Sequence, residues 1–197
     1  MKKINLLLIT SVIFLCSSCI KQVEKKFTGN TVVEIDPTPL NSNAVGVNYP
    51  ILTRIPPEGR PVATVDSTLR RWSRSIRVRV NLVGAQTSAD QTVGYKIFST
   101  PVTTVDFPAT ISGQTPSQSA ATLTVTDAVA GTHYNITSGA NKVTIPANSS
   151  FGYIDIQILN AGTLPGQAKF LGIRLDSTGT LMPSVNYRSI GLVIDQR

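Results

Sequence analysis

The sequence predicts an all-β chain folded as an antiparallel β-sandwich, and three observations predict it. Charged residues make up only 15% of the chain and apolar residues 41%, with Thr, Ser, Val and Gly abundant and Glu scarce. That balance favours strands and turns over helices. Apolar and polar residues alternate with period two at several separate places, the pattern of a strand with one buried face. No window shows the apolar spacing of an amphipathic helix.

Taken in order, the first expected strand is TVVEI at residues 31–35. A stretch with six prolines follows between Pro37 and Pro61. Proline lacks the amide that a helix or central strand requires, so this stretch suits extended or edge structure. AVGVNY at 44–49 is its expected edge strand. In residues 75–82, Ile76, Val78, Val80 and Leu82 alternate with Arg77, Arg79 and Asn81. A turn begins at Gly84. Further strands are expected at 92–98, 123–126, 142–145 (ended by Pro146), 152–159, 170–175 and 189–194. Residues 99–121 are long and polar, and read as a loose hairpin or an exposed loop able to carry function. The organisation is therefore 1–18, 19–30, a proline-rich arm at 31–74 carrying an edge strand, and a sandwich domain at 75–197.

The first 30 residues differ in kind. Lys2 and Lys3 precede an apolar run at 4–15, too short for the roughly 20 residues that span a bilayer. Cys16-Ser17-Ser18-Cys19 then resembles the lipobox of bacterial lipoproteins, in which small residues precede the modified cysteine. The resemblance implies a signal peptide at 1–18, acylation of Cys19 and a lipid-anchored place at the outer membrane, with the membrane face left open. Residues 19–30 read as a flexible tether whose lysines, Lys21, Lys25 and Lys26, suit anionic headgroups. Cys16 and Cys19 are the only cysteines, so the mature body has no disulfide.

The run Asp127-Ala-Val-Ala-Gly131-Thr-His133-Tyr134-Asn-Ile136 leads to Lys142-Val-Thr-Ile-Pro146-Ala and then Gly152-Tyr-Ile-Asp-Ile. With Leu171-Gly-Ile-Arg-Leu175 near the end, this resembles the Calx-β-like and related immunoglobulin-like domains of Bacteroidota lipoproteins, over roughly residues 75–195. The resemblance implies an immunoglobulin-like sandwich, and an accessory role of the kind associated with SusC/SusD-type uptake systems. Calx-β domains bind calcium through clustered acids. Here Asn160-Ala-Gly-Thr-Leu-Pro165-Gly stands where that cluster would be, and Asp127, Asp155 and Asp176 are isolated, so calcium is not carried over.

No active site is spelled out. His133 is the only histidine, which rules out a His-based metal site without cysteine help. No G-x-S-x-G elbow and no phosphate-cradling glycine loop occur. The expectation is no enzyme, no metal and no cofactor. Trp72, the lone tryptophan, sits in Arg70-Arg71-Trp72-Ser73-Arg74. As a ligand platform, the indole would stack on a sugar face while Arg70, Arg71 and Arg74 bind acidic substituents. As a structural residue, it would cover the end of the sandwich.

Net charge is +7, or about +5 once Lys2 and Lys3 leave with the signal, from 16 basic and 11 acidic residues. Seven arginines fall between Arg54 and Arg79, read either as a solvated outer face or as a surface for anions. The expected partners are the bilayer through acylated Cys19 and either a glycan or an outer-membrane protein. Nucleic acid is not expected behind an export signal. The expected function is a binding or accessory module of the envelope, with a structural subunit docking a membrane protein as the alternative. If Cys19 carries the lipid, Cys19→Ala abolishes incorporation of a metabolic fatty-acid probe. Undiminished labelling of that variant rules the lipobox reading out.

Overall fold

The computed structural model describes residues 29–36, 47–55, 66–73, 75–139 and 141–197. The signal, Cys19, most of the tether, residues 44–46 of the expected edge strand and Arg74 lie outside them. The described residues form strands and turns with no helix.

Two sheets face each other. The first runs in the order β11 (Met182–Pro183), β1 (Val32–Ile35), β3 (Ser75–Val83), β9 (Phe151–Ile158), β7 (Tyr134–Ile136). The second runs β2 (Ile51–Leu52), β12 (Ser189–Asp195), β10 (Gln167–Asp176), β4 (Gln91–Phe98), β8 (Lys142–Ile145). A hairpin of β5 (Thr104–Phe107) and β6 (Ala121–Asp127) joins this second sheet through β10. This is the all-β sandwich that the alternation predicts, with one amendment to antiparallel. The pairs β1–β11, β6–β10 and β2–β12 are parallel. Parallel neighbours need long connections. Here each pair is separated in sequence by strands lying elsewhere in the sandwich.

Alternation on β3 and β9 does what period two requires. Val78, Val80 and Leu82 with Ile154, Ile156 and Ile158 turn inward. They meet Val93, Tyr95, Leu171, Ile173, Leu175, Ile190, Leu192 and Ile194 of the opposite sheet. Val33, Ile35, Leu52 and Leu69 are buried in the same core. Residues expected in an arm thus share the core with residues 75–197. The described parts of 31–74 complete the sandwich, because a short alternating strand can bury its apolar face only by joining a sheet. The edge strand is Ile51–Leu52, just beyond the expected AVGVNY.

A second core lies on the other face of the second sheet. Ile51, Ala168, Phe170 and Val193 point there and are covered by Val105 and Phe107 of β5 and Leu123 and Val125 of β6. Residues 99–121 are therefore part of a packed hairpin, and the apolar residues that anchor it were hidden among threonines. Every residue of β12 is buried, as expected for a strand covered on both faces. Phe170 lies across the register pair Gly172 and Gly191. A Cβ on Gly191 would come within 2.5 Å of its ring, and one on Gly172 within 2.7 Å. Phe170→Ala removes the centre of this second core and is expected to cost about 3–5 kcal/mol. Urea unfolding of the variant against wild type reads this directly, and a loss below about 1 kcal/mol contradicts it.

Candidate functional site

At one end of the sandwich, the chain runs through residues 66–73 before entering β3. Its main chain is stitched to the end of β12: the Asp195 amide donates to Leu69 O at 2.9 Å, and the Arg71 amide donates to Asp195 O at 2.9 Å. The side chains complete the attachment. Asp195 is 0% exposed and Arg70 1%. The Arg70 guanidinium donates to Asp195 Oδ2 at 2.5 Å, to Asp66 Oδ2 at 3.3 Å and to Pro108 O at 3.5 Å. Arg197 adds a second guanidinium, donating to Asp195 Oδ2 at 2.8 Å and to Oδ1 at 3.0 Å, and reaching Ser119 O at 2.8 Å. Two guanidinium groups, buried Arg70 and partly exposed Arg197, thus share one buried carboxylate, and both also hold the loop between β5 and β6.

This loop and the 66–73 segment enclose a groove of about 280 Å³. Trp72, Asp66, Thr68, Ser73, Ser75, Thr110, Gln114, Thr115 and Pro116 line it, with Ile55, Leu69 and Ile76 among the apolar contacts. The loop wall is braced by Thr110 and Gln118, whose main chains bond at 2.8 Å while the Gln118 amide also reaches Thr110 Oγ1 at 2.7 Å. The two features that stood out in the sequence, the tryptophan and the polar 99–121 stretch, are brought together here. Nothing in the sequence pairs them, because they meet only through a contact between distant segments.

Trp72 is half-buried, between the two expected roles. Its ring lies 5.1 Å from the Arg71 guanidinium carbon and 5.8 Å from that of Arg70, within cation–π range. The arginines are placed differently from expectation. Arg70 is a buried structural cation, since Asp195 and Asp66 neutralise it inside the fold. Arg71 donates to Arg197 O at 3.1 Å, Asn160 Oδ1 at 2.7 Å and Thr163 Oγ1 at 2.8 Å. Arg74 lies outside the described residues. Farther along, Arg77 pairs with Asp155 at 2.8 Å, and Arg79 lies 4.1 Å over Phe151 while bonding Asn81 at 2.8 Å. Much of the arginine run is thus tied to this chain's own acceptors and rings.

Burial alone would push the Asp66 carboxyl up. The Thr68 amide, donating at 3.0 Å, and the Arg70 guanidinium more than reverse this and hold it below its ordinary value. Asp66 therefore stays ionised in the groove at neutral pH. Away from the groove, His133 sits in the turn after Ala130, where Gly131 takes φ +77°, a conformation glycine adopts without strain. His133 Nδ1 accepts the Val129 amide at 2.9 Å, which places the ring proton on Nε2. The ring caps a turn. Among the described residues, no three His, Cys, Asp or Glu side chains gather in a metal-binding group.

No protein-family model and no curated protein matches the sequence. Solved structures that resemble the chain include the apo-form Calx CBD1 domain, 14% identical, with a TM-score of 0.39 over 64% of this chain and 87% of that one. A candidate carbohydrate-binding protein from Bacteroides ovatus is 8% identical, with a TM-score of 0.39 over 62% of this chain and 31% of that one. A protein of unknown function from Bacteroides ovatus is 9% identical, with a TM-score of 0.44 over 84% of this chain and 51% of that one. These likenesses do not place the chain in a family.

Burial, and next the nearby Lys169 ammonium, hold the His133 pKa below its ordinary 6.5. The unfolded chain then binds the proton more tightly than the folded one. Stability is expected to fall as pH drops below about 6.5, and to stop falling on this account once the folded-state pKa is passed. His133→Asn keeps an acceptor for the Val129 amide but has no titration. Thermal melts from pH 7 to 5 should be flatter for this variant than for wild type, and parallel curves would refute the assignment.

Proposed function

We propose that the chain is a lipid-anchored binding module of the cell envelope, held by acylated Cys19, that takes a carbohydrate in the groove beside Trp72. The observation that carries this reading is the groove itself. It joins a half-buried indole to a set of hydroxyl and amide side chains on two braced walls. Sugar recognition needs that combination, an apolar ring face for the pyranose and fixed polar groups for its hydroxyls.

The placement of the groove supports the same reading. Ser75 lines the groove and begins β3, while Val83 ends β3 paired with Val32, where the N-terminal segment joins the fold. Eight strand steps of about 3.4 Å set these two ends about 27 Å apart. A lipid tether entering at Val32 leaves the groove at the far pole, turned from the membrane. A second reading, a subunit that docks a membrane protein, draws on the exposed 182–187 segment that pairs along β1. Met182, Val185 and Tyr187 are exposed there, Val185 by 82%.

Trp72→Ala separates these. As a groove residue, its loss should weaken glycan binding about tenfold or more. The melting temperature should move far less than the ~3–5 kcal/mol cost of removing a core tryptophan implies. Glycan binding that survives the substitution intact excludes this groove. A chain that binds no glycan but co-purifies with a membrane protein favours the docking reading.

A further inference from the structure

We infer that the groove selects uncharged, hydroxyl-rich sugars and rejects the same sugars when they carry carboxylate or sulfate. This rests on the carbohydrate reading and reverses what the arginine-flanked sequence around Trp72 suggests. The guanidinium groups of Arg70 and Arg71, which would have recognised acidic substituents, each have all three nitrogens bonded within the chain. Arg70 points its donors at Asp66, Asp195 and the Pro108 carbonyl. Arg71 points its donors at the Arg197 carbonyl, Asn160 and Thr163. Turning Arg70 outward would strand the buried Asp195 carboxylate, at a cost an incoming anion must offset. Arg71 does not line the groove and is held outside it by its three bonds.

Among the described residues Arg70 is the one cation lining the groove, and it is 1% exposed with two carboxylates against it; the rest of the lining is neutral or negative. Asp66 lines the groove, accepts one bond on each oxygen and retains lone pairs for further donors. It is held ionised, so it accepts hydrogen bonds from sugar hydroxyls and repels a ligand anion. The side chains of Ser67, Gln114 and Thr115 also line the groove, and none makes a hydrogen bond to another described residue. The Trp72 indole N–H is likewise unbonded among the described residues. These groups donate to and accept from hydroxyls without a charge to neutralise. Like charges brought together in a partly enclosed site discriminate strongly between otherwise similar ligands.

The test uses the full chain purified in detergent, at physiological salt. The probe is an array of neutral oligosaccharides and the same backbones carrying uronic acid or sulfate. Binding to a neutral member, with its charged counterparts at least about tenfold weaker, is the expected result. Asp66→Asn should narrow that gap by relieving the repulsion. Gln114→Ala, on the groove's loop wall, should weaken the neutral ligand while leaving the melting temperature in place. Charged members binding as tightly as neutral ones, or more tightly, overturn the inference while leaving the carbohydrate reading standing. Arg71→Ala abolishing that charged binding would show that the guanidinium does turn outward. Binding to no member of the array overturns the carbohydrate reading itself, and with it this inference.

Discussion

The Asp195 carboxylate is the constraint on which this end of the molecule depends. It is fully buried at the end of the last strand, and its two oxygens take bonds from Arg70, 125 residues earlier, and from Arg197. Burying the charges of Arg70 and Asp195 is unfavourable unless they are well bonded. Here it is tolerated because the remaining guanidinium donors also find acceptors, in Asp66, Pro108 and Ser119. The same bonds tie together three segments that share no regular sheet pairing: the 66–73 turn, the chain terminus and the β5–β6 loop. Removing the carboxylate alone would leave buried Arg70 facing a second guanidinium without their shared counter-charge, the costly half of a broken ion pair.

The groove follows from that tie together with the second core. An ordinary sandwich packs its sheets once. Here the β5–β6 hairpin covers the outer face of the second sheet as well, around Phe170. The hairpin is fixed by Val105, Phe107, Leu123 and Val125, so its loop is carried on a rigid base to the pole where Trp72 lies. The arginine bonds then set how closely the loop approaches the 66–73 segment. Rigid scaffolding below and a polar loop above is the usual arrangement for a binding surface.

The charge of the chain reads differently once folded. A net +7 and seven arginines between Arg54 and Arg79 suggest an electropositive surface. In the structure, Arg70 is sealed inside, Arg71 is held by three acceptors, and Arg77 and Arg79 lie over Tyr153 and Phe151 on the outer face of the first sheet. Guanidinium groups suit such roles because they are planar and weakly hydrated, with donors in several directions. Four of these arginines, Arg70, Arg71, Arg77 and Arg79, are thus engaged by the chain's own acceptors and rings.

The sequence by itself determined the class of fold and its long strands. Alternation in 75–82 and 152–159 assigns each side chain to a face, and it does so with no knowledge of the partner strand. It also marked Trp72 and the 99–121 stretch as the unusual features. Only the tertiary structure decided that these two meet, that Ile51–Leu52, Thr104–Phe107, Tyr134–Ile136 and Met182–Pro183 are strands, and that Arg70 is buried. The reason is common to all of them. The two- and three-residue strands carry too few alternations to stand out from a loop, Thr104–Phe107 lies inside a threonine-rich stretch, and each exists because a neighbour already offers hydrogen bonds. An arginine beside a tryptophan carries no mark of whether its counter-charge is a ligand or an aspartate 125 residues away, since that choice is made by which distant segments the two cores bring together.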